Sequence, residues 1–173
     1  MPFLNTGSAK ATNATLTLSG GDGTSHYTSF PSYGSFTTMA AGVLEFAGGS
    51  FSASTVTNNG TLKMTAGSLH DAGAFSNPAK VMLNGGTFTV AGFAQTSAGE
   101  IDATISSAGT GKIVSTASVS LAGTLNAANA TSFTPTAGTV YTVLQGTSVT
   151  GTCAGSIGTY TLGVGSTTVT LTA

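Results

Sequence analysis

From Leu44 to Phe133 apolar side chains return to the same four phases about every 19 residues. The first column is Leu44, Leu62, Val81, Ile101 and Val119, at steps of 18, 19, 20 and 18. Two residues after each comes a second column, Phe46, Met64, Leu83, Ala103 and Leu121. Across a short Gly-containing corner lies a third, Phe51, Leu69, Phe88, Ala108 and Leu125. A fourth, Val56, Phe75, Phe93, Ile113 and Phe133, completes each repeat, and Phe36 extends it one repeat earlier.

Four columns that hold phase over five repeats are the mark of a solenoid, in which each repeat buries its apolar face on the next. Spacing of two within a column pair is the strand period, and Gly, Asn and Ser between the pairs supply corners. The repeat is too short for a helical hairpin. The expected fold is therefore all-β: a parallel β-helix with neighbouring turns roughly 4.8 Å apart. Irregular repeat lengths and the absence of a hexapeptide pattern favour the right-handed form. The repeat from Ile101 to Ser118 is the weakest, because two of its columns fall to Ala103 and Ala108, with Ile105 available to compensate. Asn58-Asn59-Gly60, Asn77-Pro78 and Asn84-Gly85-Gly86 are expected at corners, where Asn and Gly accept positive φ.

Two opposite-charge pairs follow from the same register. Glu45 and Lys63 each sit one residue after a first-column position, and Lys80 and Glu100 one residue before, so each pair becomes a vertical neighbour on the outer face.

Three segments follow along the chain. Residues 1–36 form an N-terminal arm or cap, 37–138 the repeats, and 139–173 a closing meander of alternating strands with turns at Gly146, Gly151, Gly158, Gly163 and Gly165. The aromatic cluster Tyr27, Phe30, Tyr33 and Phe36 around Pro31 either plugs the open end or docks a partner, since Tyr is favoured at interfaces. With Phe3 and Leu4 of the arm, Tyr27, Phe30 and Tyr33 are the candidate partner-binding residues.

The closing stretches Tyr141-Thr142-Val143-Leu144, Val149-Thr150-Gly151-Thr152, Tyr160-Thr161-Leu162 and Val169-Thr170-Leu171 resemble the end of bacterial autotransporter passenger domains. That likeness covers residues 100–173 and implies a right-handed β-helix. The chain departs from the family in lacking the exporting barrel, and Met1-Pro2-Phe3-Leu4-Asn5 lacks the basic and apolar regions of a signal peptide. In architecture alone the repeat also resembles the short β-helices of phage tail fibres, tailspikes and capsid decoration proteins.

Composition narrows the function. Only 5% of the 173 residues are charged, against about 25% in ordinary soluble proteins, and the net charge is -1. The four basic residues, Lys10, Lys63, Lys80 and Lys112, do not cluster as phosphate binding requires, so no nucleic acid is expected. No run reaches the ~18 apolar residues of a membrane span. The single Cys153 makes no internal disulfide and is expected to be packed rather than reactive.

Catalytic and metal chemistry finds little to build on. There is no Arg, and the carboxylates are Asp22, Glu45, Asp71, Glu100 and Asp102. Glu100 and Asp102 share an outer face at roughly 7 Å, near the separation of an inverting glycosidase pair, but without a cleft around them. His70 and Asp71 are adjacent on a strand and face opposite sides. Ser19-Gly20-Gly21-Asp22-Gly23 is similar to a calcium-binding repeat, yet it occurs once and has no stacked partner to add oxygens. No cofactor and no metal are expected.

The expected function is thus a non-enzymatic structural protein, made in a host cytoplasm and carried on a bacteriophage virion as a capsid decoration, cement or fibre module. Its partners would be a capsid or fibre protein and, as a homotrimer, itself. The alternative is an extracellular adhesin or passenger fragment that binds a surface or glycan. The register makes a sharp prediction: Phe88→Asp puts an unpartnered charge in a stacked apolar column, a cost of several kcal/mol that rivals the ~5–15 kcal/mol stability of a domain. Thr89→Asp, one residue on, should be nearly silent. Thermal melts of the two variants check this, and similar midpoints would refute the register.

Overall fold

A computed structural model describes residues 7–20 and 34–173, and within them the chain is all-β. Phe3, Leu4, Tyr27, Phe30 and Tyr33 lie outside the described residues. The strands run β1 (Ser8–Ala11), β2 (Thr15–Leu18), β3 (Ser35–Thr38), β4 (Val43–Ala53), β5 (Thr55–Asn58), β6 (Thr61–Asn77), β7 (Lys80–Leu83) and β8 (Thr87–Gln95). They continue with β9 (Glu100–Ile105), β10 (Lys112–Ser115), β11 (Ser118–Leu121), β12 (Thr124–Asn129), β13 (Val140–Gln145), β14 (Ser148–Gly151), β15 (Thr161–Val164) and β16 (Thr168–Thr172).

Parallel pairing stacks these strands in three ladders. The first joins β2, the start of β4, the start of β6, β7, β9 and β12, and puts Leu16, Leu44, Leu62, Val81, Ile101 and Leu125 in one column. The second joins the end of β4, the middle of β6, the start of β8, β10 and β13, with Phe51, Leu69, Phe88, Ile113 and Leu144 in register. The third is in two pieces: β1–β3–β5, carrying Phe36 over Val56, and the end of β6 with the end of β8, β11 and β14, carrying Phe75, Phe93, Val119 and Val149. The inward residues of all three ladders meet in one apolar core. Within it the Phe75 ring packs edge-on against Phe88 at 4.9 Å and stacks on Phe93 at 6.1 Å.

The first three columns expected from periodicity hold as far as Ile101 and then shift, while the fourth is interrupted between Val56 and Phe75. Val119 lies over Phe93 in the third ladder, and the first-ladder partner of Ile101 is Leu125, 24 residues later. Ile113, expected in the fourth column, occupies the third over Phe88, while Ala108 sits in a turn closed by Ser106 and Gly109. The cause is an insertion. Strand β9 runs on through Ile105, which is fully buried, and the Ser106–Gly109 turn adds residues before β10 begins. Leu121 and Phe133 likewise leave their expected columns: Ala103 pairs with Ala127, and Phe133 belongs to the loop before β13, half-buried against the core.

The closing segment mixes two modes. As the meander predicts, β15 pairs antiparallel with β16, whereas β13 also pairs antiparallel but with β16 rather than with its chain neighbour β14. Strand β14, expected in the same meander, instead pairs parallel with β11 and continues the third ladder.

Two features set the corners. Gly49, Gly67 and Gly86 have φ of 80°, 74° and 72°, and they stack between the first and second ladders. A Cβ on Gly67 would come within 2.2 Å of the Gly49 carbonyl oxygen. The asparagines behave otherwise: among the described residues the only non-glycine with positive φ is Ser132. Asn58 and Asn77 are not left-handed corner residues but buried members of a polar column that also holds Thr38 and Gln95. Thr38 Oγ1 donates to Asn58 Oδ1 at 2.6 Å, and Asn58 Nδ2 donates to Asn77 Oδ1 at 3.2 Å and to the Lys80 carbonyl at 2.8 Å. Asn77 Nδ2 donates to the Glu100 carbonyl at 3.1 Å, and Gln95 Nε2 to those of Gly99 and Thr124 at 3.0 and 2.7 Å. Each amide thus satisfies a main-chain carbonyl where the third ladder hands over to the first.

Gly67→Ala is expected to cost more than ~2 kcal/mol, because a left-handed conformation and a backbone clash add. Asn77→Ala should cost about 1–3 kcal/mol by orphaning a buried carbonyl. Urea titration of both variants measures these losses.

Candidate functional site

The outer face of the first ladder gathers five charged residues. Glu45 registers against Lys63, as expected, with Lys63 Nζ 3.0 Å from Glu45 Oε1. Thr65 and Thr17 hydroxyls donate to the same carboxylate at 2.7 and 3.2 Å. The Thr65 hydrogen bond, with those from Lys63 and Thr17, holds the Glu45 carboxyl below its ordinary value of 4.5.

Two repeats on, Lys80 registers against Glu100 and bridges two carboxylates. Its Nζ lies 3.2 Å from Glu100 Oε2 and 2.8 Å from Asp102 Oδ2. Asn126 Nδ2 clamps the other oxygens, donating to Glu100 Oε1 at 2.8 Å and Asp102 Oδ1 at 2.9 Å. Its Oδ1 accepts from the Ser156 amide at 2.9 Å, which ties the cluster to the closing segment. Burial pushes the Asp102 carboxyl up, but the Lys80 and Asn126 hydrogen bonds outweigh it and leave Asp102 below its ordinary value. The Asp102 hydrogen bond raises Lys80. Glu100 and Asp102 therefore flank a lysine and an amide, and every oxygen of the pair has a partner.

Asp71 is the one fully buried carboxylate among the described residues, while His70 beside it is exposed, on opposite sides of the strand as expected. Its Oδ2 accepts from the Val56 amide at 3.1 Å and its Oδ1 from the Gly73 amide at 3.0 Å. Burial pushes this carboxyl above its ordinary value, against the lowering effect of the two amides.

The Val56 contact marks the break in the third ladder. The Asn59 amide bonds back to Thr38, so by alternation the Val56 amide points toward the next repeat, where it meets a side chain instead of a β6 carbonyl. Asn59 and Thr96 each donate to the carbonyl one repeat below, and Pro78 holds the equivalent place with no N–H to give. A shallow cleft of about 240 Å³ opens there, lined by Thr55, Val56, Thr57, Asn58, Asn59, Ala74, Ser76 and Pro78. Neither the buried carboxylate nor the cleft was expected from sequence. The proline after an inward asparagine was the available signal.

Cys153 is half-buried, and burial raises its thiol above the ordinary value, in keeping with a packed side chain. No three His, Cys, Asp or Glu side chains group together among the described residues. Compared with family models, characterised proteins and solved structures, the chain gives no match.

The ion pair and the carboxylates lead to a linked prediction. Glu45→Lys should lower stability slightly and Lys63→Glu should restore it, with a double-mutant coupling of about 0.3 kcal/mol. Because its pKa is lowered, Glu45 contributes stability above its ordinary value that is lost as pH falls through the folded value. Asp71 has the opposite sign: its contribution is present at low pH and lost as pH rises from 3.8 through its raised value. Urea midpoints measured across the acid range should therefore lose the Asp71 component in Asp71→Asn and the Glu45 component in Glu45→Gln.

Proposed function

We propose that the chain is a right-handed parallel β-helix that acts as a non-enzymatic structural module of an assembly, with a bacteriophage capsid decoration, cement or fibre role as the specific assignment. The three in-register parallel ladders support the β-helix. The observation that carries the functional half is the use made of charge. Glu45, Glu100 and Asp102 neutralise Lys63 and Lys80 across successive strands, and Asp71 is held by two main-chain amides. These six charged groups thus serve to hold the stack together, and the remaining described surface, apart from Lys10 and Lys112, is largely Thr, Ser, Asn, Gly and Ala. Such a surface suits lateral packing against other proteins, and a small stack gains stability by burying its sides and ends in a trimer. Tyr27, Phe30 and Tyr33, with Phe3 and Leu4, are the proposed contact residues toward the larger assembly.

The cleft at the ladder break favours a second reading, an adhesin. Thr55, Thr57, Asn59 and Ser76 present hydroxyl and amide groups of the kind that hydrogen-bond a neutral glycan.

Sedimentation at micromolar concentration in low and high salt is the test. Oligomers indifferent to salt are expected, since apolar and hydroxyl contacts would hold them. Replacing Tyr27, Phe30 and Tyr33 together by Ser should leave the melting temperature within a few degrees while weakening attachment to the assembly. A salt-independent monomer that binds a polysaccharide would overturn the structural assignment in favour of the adhesin.

A further inference from the structure

In the thirteen-stranded sheet β2, β12, β14 and β15 each pair with a single strand among the described residues, and the edges of β12 and β15 are treated differently. The outer edge of β12 is covered: the amides of Leu125 and Ala127 donate to the carbonyls of Ala154 and Ser156 at 2.7 and 2.9 Å. Strand β15 pairs only with β16 among the described residues.

The direction of its main-chain groups follows from the hairpin. The Gly165 amide donates to the Thr168 carbonyl at 2.9 Å, so Gly165 and Thr168 are a hydrogen-bonded pair. Alternation makes Gly163 with Thr170 and Thr161 with Thr172 the next such pairs, and turns the N–H and C=O of Leu162 and Val164 away from β16. The strand is held firmly in this attitude, because the carbonyls of Thr167 and Ser166 accept from the Gly146 and Val149 amides at 2.9 and 2.7 Å.

Natural edge strands are usually blunted by Lys, Pro, a bulge or an inward charge. Strand β15, Thr161-Leu162-Gly163-Val164, has none of these in its sequence and pairs with β16 without a register shift. From Ile113 to Ala173 the chain carries no Asp, Glu, Lys, Arg or His side chain, so two copies of this end meet without repulsion. Val164 at the tip is 44% exposed.

We propose that β15 is a self-pairing edge, through which a second copy of this chain extends the sheet antiparallel across a two-fold axis at Gly163. Leu162 of one copy then forms a hydrogen-bonded pair with Val164 of the other, and the reverse, giving four main-chain hydrogen bonds. Gly163 faces its own counterpart in the close, non-hydrogen-bonded position, where the absence of a Cβ lets the strands approach. Four residues of edge bury less than the ~1,200 Å² of a stable interface, so the contact is weak, with a dissociation constant of roughly 10 µM to 1 mM. It rests on the assembly reading and adds a specific joint to it, one that becomes effective where copies are concentrated.

Amide hydrogen exchange and sedimentation, each followed against concentration up to about 1 mM, test the joint. Exchange at Leu162 and Val164 should slow with concentration while that of Gly163 and Thr161 does not change. Val164→Lys should weaken association at least tenfold with an unchanged melting temperature, and Val164→Pro, which removes an outward N–H that β16 does not use, should do the same. Self-association that survives both variants would overturn the edge proposal and leave the assembly reading standing. A wild-type chain that stays monomeric throughout would sink both.

Discussion

Parallel main-chain pairing between successive repeats is the constraint on which the rest depends. It holds equivalent residues of neighbouring repeats one strand spacing apart, roughly 4.8 Å, with side chains aligned face to face. Like therefore sits on like, and any position that is apolar in one repeat must be tolerable as apolar in the next. Leu44, Leu62, Val81 and Ile101 are all fully buried because no other arrangement satisfies the ladder and the core together. The same rule applies at the corners. Gly49, Gly67 and Gly86 stack because a left-handed bend that leaves no room for a Cβ must recur wherever the chain turns over its neighbour.

Polar groups obey the rule in two ways. Inside, Thr38, Asn58 and Asn77 pass hydrogen bonds up a buried column, and Asn58, Asn77 and Gln95 reach carbonyls of the adjoining first ladder. In surroundings of low polarity an unpartnered carbonyl would cost about 1–3 kcal/mol, so the column is a condition of turning the corner inside the core. The column ends imperfectly at Gln95, whose Oε1 finds no partner among the described residues. Outside, the stacking of unlike charges replaces that of like residues, because like charges at this spacing would repel. Glu45 over Lys63 and Lys80 beneath Glu100 and Asp102 are the result.

The ladder rule also identifies where the stack is interrupted. Between β5 and the end of β6 no parallel ladder forms, Asp71 supplies an acceptor that the main chain does not, and Pro78 withholds a donor. The first two ladders run on unbroken past this point, so the break is confined to one face. At the far end, the switch from parallel to antiparallel pairing at β13, β16 and β15 ends the repetition, and it leaves β15 as the edge of an antiparallel pair.

What the sequence determined by itself was whatever depends on periodicity. The first three columns through Ile101, Phe36 over Val56, both ion-pair registers and the opposed faces of His70 and Asp71 follow from a strand period of two and a nearly constant repeat. Where the repeat length changed, that inference failed. Extension of β9 to Ile105 and the Ser106–Gly109 turn moved Ile113 to Phe88 and Val119 to Phe93, and a count of residues has no means of telling a longer strand from a longer corner. Only the tertiary structure decided which asparagines turn inward, since Asn58 and Asn77 are chosen by carbonyls of Lys80 and Glu100 that lie more than 20 residues away. It alone decided, too, that Asp71 would be buried and that β14 would rejoin the parallel ladder, because each depends on which main-chain groups are left unpaired once the other strands have stacked.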